Sequence, residues 1–228
     1  MINSIIHRDD LHYGGFAGLR EHRLVNDPKI FGQYKDPMTS DGLGALIYLA
    51  DAHFNPHGET KMHPHKEVDV ISVMVEGNIE HQGSLEHGAS LQAGDIQVQR
   101  AGGEGFSHNE INPDNTQNRM LQIWFQPETS GEKAGYQLYH SDNEQIQRVY
   151  GGRVGNTFKS STIMEIVSLE KGEPFRHLGS YEIYLYQGVL QSEELLLKDG
   201  DLIEGSDLDV VAVEKSRFVL VFKEIEDI

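Results

Sequence analysis

Met62-His63-Pro64-His65-Lys66-Glu67-Val68-Asp69 leads straight into residues 68–76, an apolar run that reads as a strand. Side chains alternate across an extended chain, so histidines at i and i+2 point the same way. His63 and His65 therefore converge on one point. Further along, Gly105-Phe106-Ser107-His108-Asn109-Glu110 repeats the arrangement after a glycine-rich turn, with His108 and Glu110 on one face. Three neutral nitrogens and a carboxylate oxygen make an open set suited to a catalytic divalent metal. A chain with 12 histidines can produce one such spacing by chance, as a surface feature. The second pair changes that balance, because a barrel brings both halves together.

The surrounding chain is a succession of short strands with turn signals between them, as in a sandwich or barrel. Residues 45–53 form the first clear strand, and residues 68–76 are followed by Gly77-Asn78, which reads as a hairpin turn. Residues 79–82 come next, then a turn at Leu91-Gln92-Ala93-Gly94-Asp95 and an alternating strand at 96–99. Residues 119–126 are apolar on both faces, which suits a central strand. Residues 1–43 read as polar and turn-rich, with His7, His12 and His22 at no ligand spacing. His53 and His57 flank Pro56 and precede Gly58, so they read as turn residues rather than ligands.

Residues 127–156 are polar and glycine-rich, and the domain boundary is placed there, near residue 135. Beyond it the strand pattern returns. Val70-Ile71-Ser72-Val73-Met74-Val75-Glu76-Gly77 aligns with Tyr181-Glu182-Ile183-Tyr184-Leu185-Tyr186-Gln187-Gly188. Leu91-Gln92-Ala93-Gly94-Asp95 aligns with Leu197-Lys198-Asp199-Gly200-Asp201, and alternating strands follow at 208–213 and 218–222. Two matches in the same order indicate two similar β-domains, residues 1–135 and 136–228. Carried across the repeat, His63 and His65 fall on Pro174 and Arg176, and His108 falls near Glu214. One metal site is expected, in the first domain.

Composition narrows the function. The 228 residues carry 19 basic and 36 acidic side chains, a net charge of -17. That field repels phosphate backbones, so direct nucleic-acid binding is not expected. With no cysteine there are no disulfides, no thiolate nucleophile and no thiolate zinc site. No run of eighteen apolar residues suggests a membrane span, and the N-terminus lacks the pattern of a signal peptide. A cytoplasmic protein is the default expectation.

The stretches HPHKEVDVISVMVEGNIEHQGS, LQAGDIQVQRAGGEGFSHNEINP and MLQIWFQPE together resemble the pirin family of bicupins. The resemblance covers residues 44–128 well and the C-terminal half in outline. It implies an all-β chain of two cupin, jelly-roll-like β-barrels in tandem, the second degenerate and without ligands. It further implies one mononuclear metal, usually iron, held by His63, His65, His108 and Glu110. Asp69 stands where the family usually carries Glu, and Glu104 is an extra acidic residue in the glycine loop.

Some pirins act as flavonol dioxygenases of the quercetin 2,3-dioxygenase type. In that reading the metal acidifies the hydroxyl of a small aromatic substrate and Glu110, both ligand and base, takes the proton. Fe(II) is the favoured ion, though a three-histidine, one-carboxylate set also accommodates Mn, Ni, Cu, Co or Zn. Other pirins are regulatory, and the alternative reading is a metal or redox sensor acting through a protein partner. His81 is expected on a polar strand face. An enzyme needs a ligand-sized, largely apolar cavity over the metal, and a sensor does not.

Overall fold

The computed structural model describes residues 1–85, 90–140, 144–153 and 155–224. Two compact units divide the chain. The N-terminal unit comprises Leu11–Asp41 and Ala45–Ser141, and the C-terminal unit comprises Met1–Asp10, Gly42–Gly44 and Asp142–Ile228. The chain opens with β1 (Ile2–His7), which belongs to the C-terminal unit. The N-terminal unit holds β2 (Tyr13–Phe16), β3 (Leu19–Asn26), α1 (Pro28–Phe31), β4 (Leu46–Phe54), β5 (His63–His65) and β6 (Asp69–Glu76). It continues with β7 (Asn78–Gly83), β8 (Ser90–Gln92), β9 (Ile96–Arg100), β10 (Phe106–Ile111), β11 (Arg119–Phe125) and β12 (Gly135–Tyr139). The C-terminal unit adds β13 (Ile146–Tyr150), β14 (Thr162–Leu169), β15 (Pro174–Gln187), β16 (Val189–Ser192), β17 (Leu195–Lys198), β18 (Asp201–Ala212) and β19 (Ser216–Lys223). The all-β, cupin-like architecture expected from the sequence is observed, but the sheets are open rather than closed into the expected barrels. No helix among the described residues is long and apolar enough to cross a membrane.

In the N-terminal unit a seven-stranded sheet, ordered β12-β9-β6-β11-β4-β3-β2, packs against a four-stranded one, ordered β5-β10-β7-β8. One buried cluster joins them: Leu19, Ala52, Phe54, Met74 and Met120 from the larger sheet meet Ile79 and Leu91 from the smaller. Directly opposed residues share a face. The register sets Met120 beside Ala52 and Met74, then Gln122 beside Ala50 and Ser72, then Trp124 beside Tyr48 and Val70. The inner face of the large sheet thus runs from an apolar plug, through a polar row, to an aromatic end.

Two expectations are corrected here. Gly77-Asn78 is not a hairpin turn, because β6 lies in the large sheet and β7 in the small one. Gly77 carries the chain between sheets at φ +74, and a Cβ there would come within 2.8 Å of the Asn118 side chain. Residues 1–43, read as turn-rich, contain three strands. β3 escaped notice because polar Glu21 and Arg23 occupy its inner face, where a half-buried strand normally alternates to apolar.

The C-terminal unit is one eight-stranded sheet in which β15 and β18 pair along their length, with a bulge between His177 and Ser180 at Gly179 (φ +86). The bulge bends the long strands so that both halves share one core, including Phe175, Ile183, Ile203 and Val210. β1 completes this sheet on β18, with Ile5 opposite Ile203 and His7 opposite Asp201. The first ten residues, grouped by the sequence reading with residues 11–135, therefore lie with the C-terminal unit.

The repeat seen in the sequence has a physical counterpart. Asp95 and Asp201 each close their turn by accepting a backbone N–H three residues back, from Gln92 at 2.9 Å and Lys198 at 2.8 Å. The other oxygen of each meets a histidine, His140 at 2.8 Å and His7 at 2.7 Å. Gly94 and Gly200 precede them at φ +95 and +97.

Buried in the N-terminal unit, Asp51 on β4 takes a bidentate grip from Arg119 on β11, at 3.0 and 2.6 Å. Neither group reaches water freely, so removing one strands the other's charge. Asp51→Asn is expected to lower stability by about 3–5 kcal/mol. The check is a urea titration in which the midpoint falls and the slope is unchanged.

Candidate metal centre

Strand β5 lies at the edge of the small sheet, where Pro64, lacking an N–H, does no harm to the ladder. His63 and His65 flank it on the same face. Strand β10 pairs alongside, with His108 opposite His63 and Phe106 opposite His65. Gly105 makes that approach possible at φ +77, since a Cβ there would meet the His65 carbonyl oxygen at 2.8 Å. The strand pairing therefore brings together what forty-odd residues of chain separate.

The three Nε2 atoms converge. His108 Nε2 lies 3.0 Å from His63 Nε2 and 3.1 Å from His65 Nε2, and all three fall within one metal-sized cluster. A neutral imidazole has a single N–H. His63 directs its Nδ1 to the Lys61 carbonyl at 2.8 Å, which leaves its Nε2 as a bare lone pair. His108 Nδ1 lies 3.0 Å from Nε2 of His81, which orients the ring in the same way. Lone pairs facing one another repel unless a cation lies between them. Nitrogens about 2.1 Å from one ion and at right angles to each other are about 3.0 Å apart, which is the spacing found. The residues fit a divalent metal.

Electrostatics agree with that fit. Burial, reinforced by the neighbouring histidines, pushes His108 down to about 2 and His65 down to about 4. Both rings are thus neutral near pH 7, the form that ligates. Burial also pushes the Glu110 carboxyl up to about 7, partly offset by a hydrogen bond from the Ser72 hydroxyl to its Oε1 at 3.1 Å. Glu110 is two residues beyond His108 on the same inner face. It is not part of the close histidine cluster, although it lines the same cavity.

That cavity holds about 130 Å³. His63, His65 and Glu110 line it together with the aromatic rings of Phe16, Phe31, Tyr48 and Trp124. Phe31 is set in place by α1, which Asp27 caps by accepting the Lys29 N–H at 2.6 Å. Trp124 meets His65 edge-on at 5.6 Å and lies 4.5 Å from Tyr48.

The structure gives several residues roles that the sequence did not assign. His81, assigned to a polar face, is fully buried and holds His108. Its only sequence signal was its place in a strand of period two, opposite Glu110. Asp69, on the position where the family carries Glu, is buried in a bidentate pair with Arg100, at 3.1 and 2.7 Å. Glu21, Arg23 and Tyr48 line the cavity and were not singled out from the sequence. His53 and His57 bond to the Asn118 carbonyl and the Asn115 side chain, away from the cluster.

Fold and site together define a bicupin with a three-histidine centre in its N-terminal unit. Residues 26–125 match the model of the pirin family. It is 27% identical over 210 residues to a Zymomonas mobilis protein provisionally named a quercetin 2,3-dioxygenase, covering 84% of this chain and 87% of that one. It is 33% identical to the Escherichia coli K12 quercetin 2,3-dioxygenase over 113 residues, about half of each chain (49% and 48%). Among solved structures, Escherichia coli YhhW superposes with a TM-score of 0.84 at 22% identity, covering all of both chains. The nickel(II) complex of that bacterial pirin gives 0.83 at 23% identity, covering 99% of this chain and 100% of that one.

Two substitutions separate structural from ligand roles. His81→Phe is expected to weaken metal binding about 10–100-fold by freeing the His108 ring. Asp69→Asn is expected to lower the unfolding midpoint while leaving metal stoichiometry unchanged. Isothermal titration with Ni(II) and a urea titration on each variant check both.

Proposed function

We propose that this chain is a mononuclear metal-dependent dioxygenase acting on a planar hydroxylated aromatic, with chemistry of the quercetin 2,3-dioxygenase type. The observation that carries the reading is the set of three converging Nε2 atoms, two of which belong to histidines, His63 and His65, that line an aromatic-walled cavity. The names of the relatives and the nickel bound by YhhW support it. His63, His65 and His108 hold the ion, and Glu110 completes the set. Fe(II) is the proposed resident metal, and the same donors accept Mn, Ni, Cu, Co or Zn.

A divalent, redox-active ion held by His63, His65 and His108 would supply the acidification of a substrate hydroxyl and the activation of dioxygen. The chain's own groups do the rest. Phe16, Phe31 and Trp124 take the flat faces of the substrate and keep water away from the site. Glu110, buried and braced by Ser72, receives the hydroxyl proton. Lys61 and His81 keep the His63 and His108 rings turned toward the centre.

A regulatory, metal-sensing role through a protein partner would use the same ligands. It would not need an aromatic cavity against them, and the cavity is why the enzyme reading is preferred.

Oxygen uptake by the Fe(II)-loaded protein with flavonols and simple catechols tests the proposal. Metal-dependent uptake that His108→Ala abolishes is the expected result. One bound ion with no uptake on any substrate would favour the sensor instead.

A further inference from the structure

Glu21 on β3 is almost completely buried in the cavity wall, and both of its oxygens are engaged. Oε2 accepts the Tyr48 hydroxyl at 2.7 Å, and Oε1 accepts Arg23 Nε at 2.7 Å. Glu21 and Arg23 are two residues apart on one strand and so share a face. The Arg23 guanidinium carbon lies 6.0 Å from the centre of the Tyr48 ring. The side chain is 46% exposed, and Arg23 is the only lysine or arginine among the described residues lining the cavity. Its Nε donates to Glu21, Tyr48 lies against it as well, and close to half of the side chain remains open to solvent. A guanidinium anchored in this way is preorganised to grip a planar carboxylate with two parallel bonds.

The size of the cavity bears on the same point. Pockets for drug-sized ligands run to about 300–1,000 Å³. This one holds about 130 Å³, room for a single ring. In a chain of net charge -17, an acidic ligand also needs a local cation to be admitted.

We infer that Arg23 is a specificity-determining residue, and that the preferred substrate class is a single-ring aromatic acid with adjacent hydroxyls. The carboxylate lies on Arg23 and the hydroxyls face His63 and His65. Glu21 and Tyr48 are positioning residues that act through Arg23. The inference rests on the dioxygenase reading for what happens after binding, but binding is measured separately.

Trp124 is the only tryptophan in the chain and forms part of the cavity wall, so its fluorescence reports occupancy. The experiment titrates the protein as isolated, without oxygen, with 2,3-dihydroxybenzoate, with its methyl ester and with quercetin. The acid is expected to bind about tenfold more tightly than the ester. Arg23→Gln is expected to bring acid and ester to equal affinity. Equal affinity in the unaltered protein would overturn the inference, as would tighter binding of quercetin or a preference that survives Arg23→Gln. Should that variant fail to fold, the comparison of the three ligands on the unaltered protein decides. None of these readings depends on turnover, so a protein that binds the acid without consuming oxygen would sink the dioxygenase reading and leave this one standing.

Discussion

An imidazole ring has one proton to give and two nitrogens to place, and the N-terminal unit is arranged around that shortage. The Lys61 carbonyl and His81 each occupy the far side of a ring, so the near sides carry unshared electron pairs. Setting His108 Nε2 about 3 Å from both His63 Nε2 and His65 Nε2 is unfavourable in an apolar interior. The pairing of β5 with β10 enforces it all the same, through a proline tolerated at an edge and a glycine that lets the strands close. A divalent ion removes the repulsion, and the rigidity of the surrounding sheets is what keeps the site from relaxing without one.

How much of this could be read in the sequence follows from the range of each interaction. The convergence of His63, His65 and His108 was legible because period-two spacing is local and imidazole is the commonest metal ligand, whereas Glu110 lies outside the close cluster. The repeat was legible because an Asp that accepts its own turn's N–H needs only a short motif. By contrast, Gly77 carries the local chemistry of a hairpin, and only Asn118, far along the chain, shows that the strand changes sheets. The role of Asp69 depends on Arg100 in the same way, and that of His81 on His108. β3 was missed because its inward residues are charged. In a site, polar inward residues are the signal, and a reading based on apolar alternation discards them.

The same inversion explains the interior of the N-terminal unit. Its lower end is an ordinary apolar plug, and its stability comes from burial there and from ion pairs such as Arg119–Asp51. The middle row, with Gln122 and Ser72 facing inward, gains little from burial and is held by hydrogen bonds and by the sheet itself. The packing at one end therefore supports a polar chamber at the other.

The pairing of β1 with β18 imposes an order of events on synthesis. Ser4 bonds to Glu204, so two hundred residues must leave the ribosome before the first strand meets its partner. The N-terminal unit lies wholly between these two strands in sequence and can form while β1 remains an unsatisfied edge. The C-terminal sheet, conversely, is finished by a strand made before the whole of the N-terminal unit. Long-range closures of this kind are slow. Strand β1 is thus made early and folded late, and the nascent chain carries it unpaired until β18 has been made.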